Sequence, residues 1–254
     1  MISQYENLAR FYDVLNDGAD YDSYFDFIDS AARELVPHKG GEALSLFDLG
    51  CGTGELSLRF ARAGYRVCAA DLSEEMLTEA SSKCMTLGNP VTFTHQDMRS
   101  FSVCAKQDVI ISCFDCVNYL TVSDDVLHTF ERVADALSDD GIFIFDINTP
   151  YKYRHVYGDN TYVLDHDNVY CIWQNDYHES SKMCYFELTF FAGQDGHIRR
   201  FDESQKQRCW SCEFIERKLA EAGLDIVRKC LDGDVLDFIE KESLKYYYIV
   251  RKKH

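Results

Sequence analysis

Between residues 43 and 147 the chain alternates short apolar runs with stretches whose apolar residues recur every three or four positions. Residues 44–49 (LSLFDL) read as a strand, and Leu56 and Phe60 lie one turn apart on the helix that follows. Residues 65–72, 91–95 and 108–114 read as further strands. Ser73 is placed to cap a helix, with Glu74 and Glu75 in its first turn and Met76, Leu77, Ala80 and Cys84 on one face. Leu127, Phe130, Ala134 and Leu137 mark another helix. The SDDG stretch at 138–141 reads as a turn into a fifth strand at 142–147. Strands that are apolar throughout and separated by helices imply a parallel sheet covered on both faces.

The period changes after Asn148-Thr149-Pro150. Residues 160–208 read as an antiparallel meander, in which Phe186, Leu188 and Phe190 alternate with Tyr185, Glu187 and Thr189, and GQDG at 193–196 is a hairpin turn. A helical stripe returns after Ser211 with Ile215, Leu219 and Ala222, stopped by Gly223. Two strands, near 224–230 and 245–251, complete seven in the main sheet. The fold class is therefore α/β, doubly wound and mostly parallel, with an antiparallel β insertion. Its main domain comprises 1–150 and 211–254, with 1–40 as a helical cover, and the insertion spans 151–210.

Composition narrows the function classes. At 254 residues and 46% hydrophobic content, the chain can bury one substantial core. The formal charge of −17 repels phosphate backbones and anionic lipid, which argues against nucleic-acid and membrane partners. The first thirteen residues have neither a basic start nor an apolar run, so no secretory signal is read there. Eleven cysteines without paired secretory spacings then suggest reduced thiols and a cytoplasmic location. Two CxxC pairs, Cys113–Cys116 and Cys209–Cys212, have spacings that zinc could use. Each flanks a large apolar residue, Phe114 or Trp210, so the expectation is core packing and no metal.

Candidate chemistry begins with DLGCGTG at 48–54. Glycines between a strand and a helix permit a tight turn, a close backbone approach and free N–H groups at the helix start. The spacing is GxGxG, which is neither the dinucleotide GxGxxG nor a P-loop. Asp71 ends the second strand, where a carboxylate can accept both hydroxyls of a ribose.

DLGCGTG resembles the first motif of the class I S-adenosylmethionine-dependent methyltransferases. The likeness extends to Asp71-Leu72-Ser73 with Met76-Leu77, to Gln96-Asp97-Met98-Arg99 and to Asp140-Gly141. Tyr12-Asp13, Tyr21, Asn118-Tyr119-Leu120 and Arg200 to Arg208 resemble a subgroup of small bacterial methyltransferases of mostly unassigned substrate. More distantly, the chain is similar to sugar N-methyltransferases. The resemblance implies a Rossmann-like sheet and S-adenosylmethionine as cofactor, with S-adenosylhomocysteine as product. It implies that the amino acid end lies against the Gly50, Cys51 and Gly52 backbone, that Asp71 holds the ribose, and that Asp48 is also a cofactor-binding residue. Leu72 and Met98 would sandwich the adenine, Asp97 would accept from its amino group, and Met76 is a further cofactor-binding candidate. Tyr12 and Tyr21 would close over the methionine end, and Cys113 would also line the cofactor site.

Open α/β sheets bind ligands at the carboxyl ends of their strands, and residues 112–120 leave such an end. Asp115, Asn118 and Tyr119 are thus expected to face the methyl acceptor, with Asn118 and Tyr119 as catalytic candidates. Glu203 and Gln207 share one strand face with Gln205, and together with Arg208 they are expected in a lid over the substrate. Sugar N-methyltransferases carry His where Tyr119 stands, and many subgroup members carry His where Gln205 stands. Both differences remove an obvious base. The expected enzyme transfers a methyl group in line to a small molecule, as a monomer or weak homodimer. A nicotinamide oxidoreductase, a nucleic-acid methyltransferase and a non-catalytic binding module are the rival readings.

Overall fold

The structure, a computed structural model, describes residues 9–16, 18–37, 41–85, 90–166, 169–194, 197–231 and 243–253. Two helices, α1 (Ala9–Leu15) and α2 (Tyr21–Leu35), precede the alternating part. That part runs β1 (Ser45–Leu49), α3 (Glu55–Arg62), β2 (Arg66–Asp71), α4 (Glu74–Cys84), β3 (Thr92–His95), β4 (Gln107–Ser112), α5 (Ser123–Ala136) and β5 (Leu137–Asn148). A 3₁₀ turn over Cys116–Tyr119 joins β4 to α5, and a π-helical turn over Lys152–Tyr157 follows β5. Then come β6 (Thr161–His166), β7 (Val169–His178), β8 (Met183–Gln194), β9 (His197–Arg208), α6 (Cys212–Glu221), β10 (Leu224–Leu231) and β11 (Lys245–Lys252).

Seven strands form one sheet in the order β10-β11-β5-β4-β1-β2-β3. The strands from β3 to β5 are parallel, and β11 runs antiparallel between β5 and β10. Every residue of the central strand β4 is buried, the apolar Val109-Ile110-Ile111 and the polar Gln107, Asp108 and Ser112 alike. Strand β5 feeds both cores by period two. Phe143, Phe145 and Ile147 pack with α5 and α6, while Ile142 and Ile144 pack on the α2 and α3 side. Ser73 does cap α4, accepting from Met76 N–H. The chain leaves β1 toward β2 on one side and returns to β4 on the other. A crevice therefore opens at the carboxyl ends of β1 and β4.

The expected turn at 138–141 is instead absorbed into β5. Gln107 pairs with Leu137 and Val109 with Ile142, so two steps along β4 face five along β5. Gly141 makes this bulge possible, since a Cβ there would lie 2.8 Å from Gln107 O. Leu137, expected on the helix, is the first residue of the strand.

Strands β6 to β9 form a separate antiparallel sheet in sequence order. Gln194 pairs with His197, and residues 195–196 of the expected hairpin turn lie outside the described residues. Phe186, Leu188 and Phe190 are buried against Ala9 and Phe11 of α1 and against Tyr153 and Tyr157 of the π-helical turn. The rings of Phe11 and Phe190 stack at 5.8 Å. The second sheet thus roofs the carboxyl end of the first, with α1 between them.

Candidate active site

The glycine loop is built around close approach. Gly50 adopts φ 82°, and a Cβ on it would stand 2.8 Å from Cys116 Sγ. Gly54 adopts φ 80° at the start of α3, where a Cβ would stand 2.9 Å from that of Ala80. Gly50 and Cys51 both donate their N–H to Ala70 O, at 2.8 and 3.0 Å, which folds the loop over the end of β2. Asp71 accepts from Gly52 N–H at 2.8 Å and from Ser73 N–H at 2.9 Å. One carboxylate so fixes both the loop and the start of α4.

Beneath the loop Asp48 is buried, with Ser57 Oγ donating to it at 2.6 Å. Burial pushes its pKa up to about 7, the Asp71 carboxylate adds to the rise, and Ser57 opposes it. Burial also raises Asp71, against the three backbone amides that favour its anion. Asp97 moves the other way, held down first by hydrogen bonds from Arg99, whose Nε reaches both of its oxygens at 2.9 and 3.0 Å.

A cavity of about 460 Å³ opens over this floor. Tyr12, Tyr21, Asp48, Gly50, Cys51 and Gly52 line it. So do Asp71, Leu72, Met76, Asp97, Met98 and Cys113. The sequence grouped these twelve, and the fold brings them to one space. The donor set fits S-adenosylmethionine. Four carboxylates, those of Asp48, Glu55, Asp71 and Asp97, and the phenols of Tyr12, Tyr21 and Tyr119 face a cavity in which a cation must be held. Leu72 stays 60% exposed and Val122 53% exposed, so both offer apolar surface to a flat base.

The acceptor side is arranged differently from the expectation. Tyr119 lines the cavity, and its hydroxyl donates to Gln205 Oε1 at 2.9 Å. Asn118 is fully buried away from the cavity. Its Nδ2 donates to Arg208 O at 2.8 Å and its Oδ1 accepts from Asn148 N–H at 2.9 Å. With its amide committed to two backbone groups, Asn118 fastens β9 to β5 and does not line the cavity. Asp115 and Gln207 are also turned inward. Gln207 Nε2 donates to Asp115 Oδ2 at 2.6 Å, and Gln207 Oε1 accepts from Tyr153 at 2.8 Å and Asn148 at 3.2 Å. Burial would raise Asp115, but Lys245 and then Lys152 outweigh it and hold the carboxyl below its ordinary value. Arg208 donates to Thr121 O at 3.0 Å and lies over the Trp210 ring. Glu203 is buried, and neither it nor Arg208 lines the cavity. The physical reason is that this strand face packs on the body of the protein. Its polar groups knit the two sheets together.

Several lining residues escaped the sequence reading. Cys116 lies under Gly50, with Sγ 3.4 Å from Gly50 O, and its spacing from Cys113 was the only signal for it. Lys206 reaches the cavity from β9, on the opposite face from Gln205 and Gln207, and no pattern marks it. Phe114, Thr121 and Val122 belong to turns whose course is set by tertiary contacts.

Comparison with known proteins agrees with this geometry. The family described as a methyltransferase domain matches residues 46–141. YqeM of Bacillus subtilis (strain 168), whose name is that of a methyltransferase and gives no acceptor, is 34% identical over 229 residues. That match spans 90% of this chain and 89% of YqeM. An N,N-dimethyltransferase of dTDP-3-amino-3,4,6-trideoxy-alpha-D-glucopyranose from Streptomyces venezuelae is 30% identical over 141 residues, 54% of this chain and 56% of that one. The crystal structure of an S-adenosylmethionine-dependent methyltransferase from Clostridium acetobutylicum ATCC 824 superposes with a TM-score of 0.85 at 31% identity, covering 98% of this chain and 99% of that one. With the glycine loop, the strand order and the acid at the end of β2, these relatives place the chain in the class I S-adenosylmethionine-dependent methyltransferases.

Proposed function

We propose that the protein methylates a small molecule that binds between the glycine-loop floor and the second sheet. The observation that carries this reading is the shape of the cavity. Its acceptor end is closed by Tyr12 of α1 and Tyr119, whose hydroxyl is tied to Gln205 of β9. About 460 Å³ lies in the range of small-ligand sites. A folded protein or duplex would need an open face, and a charge of −17 disfavours nucleic acid further. The chain acts as a monomer or weak homodimer in this reading, and β6 to β9 are the lid.

When bound, the cofactor supplies a methyl group on a sulfonium. The protein's part is to align and to exclude water. Asp71 accepts from ribose hydroxyls, the Gly50 to Gly52 backbone and Asp48 meet the amino acid end, and Leu72 and Met98 flank the base. Asp97 offers its remaining lone pairs to the adenine amino group. Tyr12, Tyr21, Cys113 and Tyr119 surround the reacting end.

Tyr12, Tyr21 and Cys113 are not bases near neutral pH. Burial raises the phenols of Tyr12 and Tyr21, the latter to about 12, and raises the thiols of Cys51, Cys113 and Cys116. The acceptor therefore brings its own lone pair, as a neutral amine or a carboxylate does. The sugar amine named for the Streptomyces venezuelae relative supports an amine first.

The test is a screen of small amines, carboxylates and hydroxyl compounds with methyl-labelled cofactor, beside duplex DNA and structured RNA. Label in a small compound, with amines leading, is the expected result. Label in nucleic acid, or in none of the small compounds, would overturn the reading.

A further inference from the structure

Three buried charges meet where β4 and β5 end. Asp146 is wholly enclosed on β5. Its Oδ1 accepts from Phe114 N–H at 2.7 Å and its Oδ2 from Asp115 N–H at 2.8 Å. Lys245, at the start of β11, brings its Nζ to 2.7 Å from the same Oδ2. That ammonium also lies 3.0 Å from Asp115 Oδ1 and donates to the Tyr24 hydroxyl of α2 at 3.0 Å. Through Asp115 and Gln207 the network continues to β9.

The two residues whose amides Asp146 accepts are unusual. Phe114 and Asp115 have φ 58° and 54°, the left-handed region that residues with a Cβ rarely enter. What holds them is a carboxylate that receives one N–H group on each oxygen, an arrangement that favours the ionised acid. A carboxylate this deep would tend to take up a proton, and burial does raise Asp146. Lys245 is the opposing cation, and its own charge is kept by Asp146, Tyr24 and Asp115 against its burial.

The turn so held carries the acceptor end of the cavity. Phe114 and Cys116 line it, and the 3₁₀ turn that follows presents Tyr119. Tyr24 stacks on Phe114 at 4.3 Å, so the lysine is sealed from above as well. We propose that Lys245 is a positioning residue for methyl transfer. By joining Asp146 to Asp115 it sets the left-handed turn that aims Tyr119, and it ties that turn to the second sheet. The activity part of this proposal rests on the small-molecule reading above. The positioning part does not.

The test compares the full-length protein with Lys245→Met and Lys245→Arg. Three readouts are taken: amide exchange at Phe114 and Asp115, S-adenosylhomocysteine affinity by titration, and turnover of the acceptor found in the screen. In Lys245→Met, exchange at both amides should rise by about tenfold or more, as a local opening. Cofactor-product affinity should stay within about threefold, because the glycine loop is fixed by Ala70 O and by Asp71, while kcat falls by about tenfold or more. Lys245→Arg should recover most of the exchange protection and of kcat. If Lys245→Met does not fold, the double variant Lys245→Met with Asp115→Asn removes one cation and one anion together and is read by the same three measures. Unchanged exchange in a folded variant would overturn the proposal. So would a loss of S-adenosylhomocysteine affinity as large as the loss of turnover, since that describes general damage. Should the screen yield no acceptor, exchange and affinity still decide the positioning claim on their own.

Discussion

Asp48 and Asp71 lie at the floor of one cavity, and burial raises both. For Asp48 the folded value of about 7 stands above an ordinary carboxyl value, so the sign of its pH effect is fixed. Below the ordinary value both states are protonated and nothing changes. Between there and about 7 the folded chain keeps a proton that the unfolded chain has released, and stability falls as pH rises. Denaturant unfolding of the ligand-free protein should show that decline, and Asp48→Asn should flatten it. Equal slopes in the two proteins would show that Asp48 does not titrate as described. A ligand ammonium prefers the ionised acid, so S-adenosylhomocysteine affinity should rise with pH through the same window. At this scale the sequence was legible where chemistry is local. Gly50, Gly54 and Asp71 stand in a motif because the backbone there has no other solution. Asn118, Asp115 and Gln207 were expected to face substrate and are instead hydrogen-bonded between strands, because a polar side chain reads the same whether it faces a ligand or a neighbouring strand.

Helix α1 carries Tyr12 to the cavity and is fastened from below. Thr53 Oγ1 of the glycine loop donates to Asp13 at 2.6 Å, and Lys83 of α4 pairs with Asp13 at 2.5 Å and with Glu55 at 2.9 Å. The cofactor loop and its cover are thus held by one side chain. Asp13→Ala should speed S-adenosylhomocysteine release by about threefold to tenfold, the scale of one hydrogen bond to a charged group in a part-exposed setting. Stopped-flow displacement would measure it, and an unchanged off-rate would remove Asp13 from the cover. Elements themselves were largely legible, because β4 carries the unbroken apolar run Val109-Ile110-Ile111 and β8 alternates, and each pattern allows one kind of strand. The bulge at 138–141 was not. Ser138 to Gly141 have turn chemistry, and only the pairing of Gln107 and Val109 against β5 keeps them in the strand.

Across the whole molecule, two sheets share one cavity, and their contacts change what a deletion can report. Removing β6 to β9 would strip Phe11, Tyr153 and Tyr157 of their packing partners, so loss of cofactor binding in such a variant would reflect α1 as much as the lid. A single substitution is cleaner. Gln205→Leu removes the partner of the Tyr119 hydroxyl and should cut acceptor turnover by about tenfold, within the range expected for a positioning hydrogen bond, while sparing cofactor affinity. Unaltered turnover would show that the Tyr119 to Gln205 link is only structural. The order of the main sheet was legible from alternating strands and helices, whereas the docking of the second sheet depends on Asn118, Gln207 and Trp210, whose partners lie far away in the chain. The central claim is that the cofactor lies in this cavity with its ribose on Asp71. Isothermal titration of S-adenosylhomocysteine into the wild-type chain and into Asp71→Ala tests it directly. One site per chain is expected, weakened in the variant by about 3 kcal/mol, or roughly a hundredfold, for two hydrogen bonds to a charged group. Equal affinity in the two proteins would contradict the account.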